Sequence, residues 1–238
     1  MKTALASILV LCGGLLGPAN AQDQEQEQEQ ERSVYEDRSD ISQIILRWGY
    51  YRDHGLWEEL RNTFHPDGEI QITWYVGQFS GFVDASIRMA EGGAESTHII
   101  ESSIIEVEDE RAIAITPVSI TARAEARGMD FDITSHAYFF DFLERRDNAW
   151  RITRRVGVYQ KDRMDAVEPS ARFSFFYTAL NIGQYEPAFK HLAAALSVQN
   201  FKIQPGQVVD NTDASRALYE SGQNWLYQSG YTLPDLPK

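Results

Sequence analysis

The chain has 238 residues, with 35 acidic against 22 basic side chains and a formal net charge of −13. This length is typical of one domain with an appendage, and a hydrophobic content of 43% is enough for a substantial core. The acidic balance argues against nucleic acid and against an anionic membrane surface as partners, because both bind surfaces rich in Lys and Arg. Cys12 is the only cysteine in the sequence, which excludes a cluster of thiolate metal ligands.

The first 21 residues are typical of a secretory signal peptide. Lys2 provides a charged start, residues 4–16 are apolar, and small residues precede a cleavage site before Gln22. The apolar stretch is too short to span a bilayer as a helix. We therefore expect an exported protein, periplasmic or secreted, that has no membrane segment after cleavage.

Three segments follow the signal peptide. Residues 22–35 are rich in Gln and Glu, cannot bury apolar area, and are predicted to be a disordered spacer. Residues 36–168 carry the periodic apolar patterns of a folded domain. Residues 169–238 are predicted to be a helical C-terminal extension, with helices at about Glu186–Val198 and Ala214–Tyr227.

The folded domain begins with helical patterns. From Asp40 onward, apolar residues recur at the i, i+3, i+4, i+7 spacing of an amphipathic helix, with Asp40 as its N-cap and Gly55 as its end. The sequence His-Pro-Asp-Gly at positions 65–68 predicts a turn. Two further helices and one short strand are expected, at about 56–64, 82–90 and 71–79 respectively.

From His98 onward the apolar period falls towards two, which is typical of β-strands. Asp109-Glu110 and Asp147-Asn148 predict tight turns between strands. Helices followed by a run of strands indicate the α+β class, with three N-terminal helices packed on a curved antiparallel sheet. The strands are expected at about 98–108, 111–125, 129–144 and 149–159.

Five short motifs occur in a defined order: ILRWGYYRD, WEELRNTFHPDGEI, STHII, FLERRDNAWRITRR and YQKDRMDAVEP. This order resembles the SnoaL-like family of the nuclear-transport-factor-like cone fold, whose members include scytalone dehydratase, bile acid 7α-dehydratase and hexachlorocyclohexane dehydrochlorinase. The likeness covers about residues 36–168. It implies a cone-shaped sheet, no metal or organic cofactor, and a homo-oligomer, with a trimer favoured, formed through the outer face of the sheet.

The resemblance also implies a catalytic carboxylate–imidazole pair, which falls on Asp53 and His98. A neutral imidazole can take a proton from carbon, and a carboxylate fixes its tautomer and stabilises the imidazolium that forms. From the residues alone, Asp53 lies at the margin of the apolar stripe, as a surface residue or cap would, and His98 suits a hydrogen-bonded core position. The five histidines lack the spacing of metal ligands, and no metal site is predicted.

Five further residues are expected to contact a ligand. Arg155 matches a basic residue that points into the cavity in some relatives, and an exposed cross-strand partner for an acid is the alternative. Ser135 and Phe139 lie on the predicted lining face of their strand, whereas Trp48 and Trp74 suit either a cavity or the core. Trp48 stands where dehydratase relatives carry a Tyr, and an indole N–H cannot serve as a proton-transfer acid.

These residues predict a cofactor-independent lyase, of the dehydratase or dehydrohalogenase type, or an isomerase, acting on a small hydrophobic ring compound. The alternative is a non-catalytic module of the same fold that binds a hydrophobic ligand, because this fold often keeps its pocket without the chemistry. An assembly domain is a third interpretation. A pH–rate profile separates the first two, since an imidazole base requires an ascending limb near its pKa.

Expression of the full chain in a secreting host is expected to yield a mature protein that begins at or near Gln22, because the small residues before it suit signal peptidase. N-terminal sequencing or intact mass measurement checks this. A secreted product that retains Met1 would contradict the predicted signal.

Overall fold

The computed structural model describes residues 19–198 and 201–237. Of these described residues, those up to 36 form one unit and those from 37 onward form another, which contains the sheet and the cavity. The predicted signal peptide lies outside the described residues except for positions 19–21. No helix in the described part of the chain is long and apolar enough to cross a membrane.

The described residues contain six α-helices and eight strands. The helices are α1 (Ala19–Asp53), α2 (Trp57–Arg61), α3 (Phe79–Glu91), α4 (Ala171–Ala179), α5 (Lys190–Val198) and α6 (Asp213–Tyr227). The strands are β1 (Phe64–Ile72), β2 (Tyr75–Gln78), β3 (Glu95–Ile100), β4 (Ile104–Glu108), β5 (Arg111–Ala126), β6 (Met129–Arg146), β7 (Ala149–Ala166) and β8 (Val208–Val209).

All eight strands belong to one sheet, in the order β2-β1-β7-β6-β5-β3, with β4 also paired to β5 and β8 to β7. Register shifts between β6 and β7 fall after His136 and after Phe142, and such bulges bend long strands. The α+β class is confirmed, as are the three helices that precede the main sheet. The sheet is mainly antiparallel, but β1 and β8 run parallel to β7.

Helix α1 differs most from its prediction. Asp40 lies inside the helix and does not cap it, and the helix also covers the Gln/Glu-rich segment 22–35 that was predicted to be disordered. Glu and Gln are good helix formers, and adding turns to an existing helix requires no new nucleation. The C-terminal end agrees with the prediction, since the helix stops at Asp53 and Gly55 follows with a φ of 65°.

Two strand predictions were also wrong in detail. The predicted turn at 65–68 lies inside β1, where the pairing with β7 shifts register between Phe64 and Glu69, so these residues form a bulge. The predicted strand 98–108 is divided into β3 and β4, which both pair with β5. Pro117 stands in β5 opposite the gap, and its nitrogen has no hydrogen to donate to a continuous ladder.

The main core lies between helices α1 to α3 and one face of the sheet, which we call the inner face. Period-two alternation in the strands sends apolar side chains to this face, and the helices cover them with their own apolar stripes. The fully buried members include Ile41 and Ile45 of α1, Phe82 and Val83 of α3, and Ala112, Ala114, Leu143 and Ile152 of the sheet.

A strip of the opposite, outer face of the sheet is covered by α6 of the C-terminal extension. Trp225 and Leu226 of α6 pack on an apolar strip formed by β6 and β7, which includes Phe140 and Phe142. Gly222 permits this close approach, because a Cβ at that position would lie 2.5 Å from the Phe140 ring. The trimer expected through the outer face stays a prediction, but this strip is occupied by the chain itself.

Helix α5 is attached to the end of the sheet by a buried carboxylate. Asp162 of β7 accepts hydrogen bonds from the backbone N–H groups of His191 and Leu192, at 2.7 and 2.8 Å, and from His191 Nδ1 at 2.7 Å. The Tyr177 hydroxyl of α4 contacts His191 Nε2 at 2.8 Å. Asp162 thus satisfies donors in the first turn of α5 and fixes both helices relative to the sheet.

Replacement of Asp162 by Ala is expected to lower the free energy of unfolding by about 2–4 kcal/mol, because three buried donors lose their acceptor. Urea denaturation of the full chain measures the change. Asp165→Ala is the matched control, since Asp165 lies on the same strand and pairs with the exposed Arg163; we expect it to shift stability by less than about 0.5 kcal/mol. Equal effects of the two substitutions would contradict the anchoring role.

Candidate functional site

A cavity of about 310 Å³ lies between the inner face of the sheet and the helices. Most of its wall is apolar, and α5 of the extension supplies part of it. Such a lining, with a few polar groups, is typical of a site for a hydrophobic small molecule. The wall includes Trp48 and Arg52 of α1, Phe82 of α3, His98 of β3, Ser135, Ala137 and Phe139 of β6, Gly157 and Tyr159 of β7, and Leu192, Ala195 and Leu196 of α5.

The close approach of α1 to β3 brings Asp53 to His98. A Cβ on Gly49 would lie 2.7 Å from the Ile100 side chain, so the absence of a side chain at Gly49 lets the helix rest on the strand. Asp53 follows one turn later, on the same face of the helix. His98 lies on β3 at the edge of the sheet, where its backbone N–H is free to meet the Asp53 carboxylate.

Asp53 and His98 form a closely held pair. His98 Nδ1 lies 2.5 Å from Asp53 Oδ1, and the His98 backbone N–H donates to Oδ2 at 2.7 Å. Because a carboxylate only accepts hydrogen bonds, Nδ1 carries the proton and Nε2 keeps its lone pair. No group among the described residues hydrogen-bonds to Nε2, and His98 lines the cavity. The predicted pair is therefore present as a geometric unit.

The environment keeps the imidazole neutral. Burial lowers the pKa of His98 below its ordinary value, and the positive charges of Arg52 and Arg155 lower it further. The hydrogen bond and the negative charge of Asp53 oppose this shift without reversing it. At neutral pH the His98 ring is thus uncharged, which is the state that a proton-accepting base requires.

The predicted lining face of β6 is the one that faces the cavity. His98, Ile120 and Ser135 are cross-strand partners in β3, β5 and β6, so they form one row on the inner face. Two strand spacings place Ser135 about 10 Å from His98 along that row. Phe139 lies opposite Gly157 further along the same face. Trp48 and Trp74 also line the cavity, and contact of these residues with a ligand stays a prediction.

Arg155 does not line the cavity, which corrects the expectation of direct ligand contact. Its guanidinium donates two hydrogen bonds of 2.7 Å to Asp141, its cross-strand partner, and both side chains are 0% exposed. It lies 4.5 Å from the centroid of the Trp48 ring and 4.0 Å from that of Phe139. Arg155 therefore packs against the rings of two residues that line the cavity, without lining it itself. The sequence could not reveal this, because the partner acid is selected by strand register.

Tyr159 and Arg52 line the cavity and were missed as site residues. The Tyr159 hydroxyl accepts a hydrogen bond from the Thr73 backbone N–H at 2.8 Å and lies 2.6 Å from Thr73 Oγ1. Burial raises the pKa of Tyr159, so its phenol stays protonated near neutral pH. Side chains two residues apart on a strand lie on the same face, so the position of Tyr159 two residues after Gly157 on β7 could have indicated that it lines the cavity. For Arg52, the signal was its position near the centre of the apolar stripe of α1.

No cluster of three or more His, Cys, Asp or Glu side chains within residues 19–198 and 201–237 is arranged to hold a metal ion.

The Arg155–Asp141 pair gives a stability prediction. Asp141→Asn leaves a buried cation unpaired, so we expect the free energy of unfolding to fall by about 3–5 kcal/mol. The double variant Asp141→Leu/Arg155→Met removes both charges, and we expect it to recover most of that loss, since an apolar pair of similar volume often replaces a buried ion pair without cost. Urea denaturation measures both, and an equal loss in the single and double variants would contradict the assignment.

Comparison with known proteins places the chain among its relatives. The SnoaL-like domain family matches residues 33–156. A PEP2-like protein and pea pathogenicity protein 2, both of Fusarium vanettenii, are 28% and 27% identical over 202 and 206 residues, covering 80% and 82% of this chain and 85% and 87% of their own lengths.

Two solved structures are similar at lower identity. One is a putative scytalone dehydratase from Novosphingobium aromaticivorans, with 19% identity and a TM-score of 0.46 over 60% of this chain and 94% of that protein. Another is a type 2 hexachlorocyclohexane dehydrochlorinase, with 17% identity and a TM-score of 0.49 over 59% of this chain and 97% of that protein. Because the family match spans more than half of the sequence, the chain belongs to the SnoaL-like family.

Proposed function

We propose that this protein is a cofactor-independent lyase or isomerase that removes a proton from carbon in a small hydrophobic ring compound. The observation that carries the proposal is the Asp53–His98 pair on the wall of an apolar cavity, with Nε2 of a neutral imidazole free of any described partner. An imidazole held by a carboxylate performs this chemistry with neither a metal nor an organic cofactor.

The reaction begins when His98 Nε2 accepts a proton from a carbon of the bound ring. The C–H bond breaks, an N–H bond forms, and the electron pair of the C–H bond moves into a new double bond. In a lyase, water or halide then leaves the adjacent carbon with its bonding pair. In an isomerase, the proton returns to a different carbon. Asp53 stabilises the imidazolium during either course, because its carboxylate already accepts the Nδ1 proton.

Tyr159 is our candidate for the acid that protonates an oxygen leaving group. Its phenol lines the cavity, its pKa is raised by burial, and Thr73 holds its oxygen by two contacts. This places a protonated phenol on a wall of the same cavity as His98. It would supply the proton-transfer acid that the indole of Trp48 cannot provide.

The substrate class follows from the cavity wall. Trp74, Phe82, Phe139 and Leu192 surround a space of about 310 Å³, which suits a compound of one or two fused rings better than a polar metabolite. We further propose that the protein is exported and acts on this compound outside the cytoplasm, with no nucleic-acid or membrane partner, as a homo-oligomer.

Hydrogen exchange at carbon tests the proposal without knowledge of the natural substrate. β-Tetralone is a suitable probe, because it is a bicyclic ketone with acidic C–H groups whose replacement by deuterium is visible by proton NMR in D₂O. We expect the protein to accelerate the exchange, and His98→Asn or Asp53→Asn to reduce the acceleration by about 10²–10⁴-fold. The rate should rise with pH through the pKa of His98, which burial lowers below about 6.5, and then level off.

His54→Asn is the matched control, since His54 follows Asp53 directly, is exposed, and contacts only the Tyr50 carbonyl through Nδ1 and the Tyr50 ring. It should leave the exchange rate unchanged. Acceleration that persists in correctly folded His98→Asn and Asp53→Asn proteins would overturn the pair. Binding of the probe by the native protein without any exchange would favour the alternative function, a module that binds a hydrophobic ligand.

A further inference from the structure

Arg52 stands out among the arginines of the described chain. Seven of them are buried or half-buried, and six of these donate hydrogen bonds to a carboxylate or a backbone carbonyl. The six paired residues are Arg61, Arg111, Arg145, Arg151, Arg154 and Arg155. Arg52 is the exception within residues 33–198 and 201–237, because its guanidinium has no hydrogen-bond acceptor there.

The nearby carboxylates do not satisfy Arg52. Asp53 attracts it electrostatically but forms no ion pair with it, and its two oxygens accept hydrogen bonds from His98 instead. Glu95 and Glu125 also line the cavity, but they are exposed and form no ion pair with Arg52. The remaining close contact of the guanidinium is the face of the Trp57 ring, 5.6 Å from the centroid. An aromatic face stabilises the charge but accepts none of its five N–H donors in a directional bond.

Arg52 lies close to the proposed reaction site. The residue lines the cavity, and its charge is close enough to His98 to affect the ionisation of the ring. The Arg52 guanidinium is half-buried and its donors are left to solvent, and a carboxylate would match its planar fork with two parallel hydrogen bonds. A ligand that places a carboxylate on Arg52 would present its apolar ring to the Trp and Phe side chains of the wall.

We propose that the ligand of this cavity is a hydrophobic ring compound that bears a carboxylate, and that Arg52 is the specificity-determining residue that binds this group. The inference rests on the cavity being the ligand site of the proposed function, but it does not depend on the reaction. Arg52 then orients the ring relative to His98, because the two side chains belong to the same wall. Arg123 also lines the cavity but is paired with Asp132, and Arg155 is paired with Asp141, so Arg52 is the arginine of the cavity wall that has no ion-pair partner among the described residues.

A pair of isosteric probes tests the assignment by binding alone. Naphthalene-2-carboxylate and naphthalene-2-carboxamide have the same shape and differ in charge. We expect isothermal titration calorimetry to show that the native protein binds the carboxylate about 10–100-fold more tightly than the amide, as a charge-assisted bidentate pair implies. Arg52→Gln should abolish this preference, with the affinity for the amide nearly unchanged, and Arg52→Lys should retain part of it.

Arg47→Gln is the control for the change in net charge, because Arg47 lies on the same helix and is exposed to solvent. It should keep the full preference for the carboxylate. If Arg52→Gln keeps the preference, or if the native protein binds both probes equally, the role of Arg52 is overturned while the proposed function stands. If the native protein binds neither probe, the cavity as a ligand site fails, and with it the proposed function. Circular dichroism melting of each variant confirms that it is folded.

Discussion

The docking of the last two turns of α1 on the inner face of the sheet is the contact on which the rest of the site depends. Trp48 covers the Arg155 guanidinium, Gly49 lets the helix backbone approach β3, and Asp53 closes on His98. These contacts are spaced within a turn and a half of one helix, so they fix its distance, rotation and end together. A small shift of the helix would separate the Asp53 carboxylate from the imidazole and displace Trp48 from the cavity wall at the same time.

The site contains several polar groups in apolar surroundings, and these groups differ in their charge and in their hydrogen-bond partners. Arg155 and Asp141 neutralise each other, so their burial supports the wall without presenting charge to a ligand. His98 is kept neutral by burial and oriented by Asp53. Arg52 lines the cavity and has no hydrogen-bond acceptor within residues 33–198 and 201–237, whereas Arg123, which also lines it, is paired with Asp132. The site thus contains a structural ion pair, a neutral imidazole and a half-buried cation that has no acceptor among the described residues.

The C-terminal extension completes the molecule on both faces of the sheet. On the inner side, α5 supplies part of the cavity wall and is held by the buried Asp162. On the outer side, Trp225 of α6 covers an apolar strip of the sheet, and Gly222 allows the close approach. A domain that ended at β7 would lack part of its cavity wall and expose this strip. The extension is therefore part of the same compact unit as the sheet.

The sequence by itself determined the α+β class, the ends of β5 and β6 near their turn residues, and the face of β6 that carries Ser135 and Phe139, because these follow from local periodicity and turn chemistry. The motif resemblance added Asp53 and His98 as partners. Only the tertiary structure decided that Arg155 is paired with Asp141 and that Arg52 has no acceptor among the described residues. Both outcomes depend on which residues strand register and helix docking bring together, and neighbours that are distant in sequence leave no trace in local spacing.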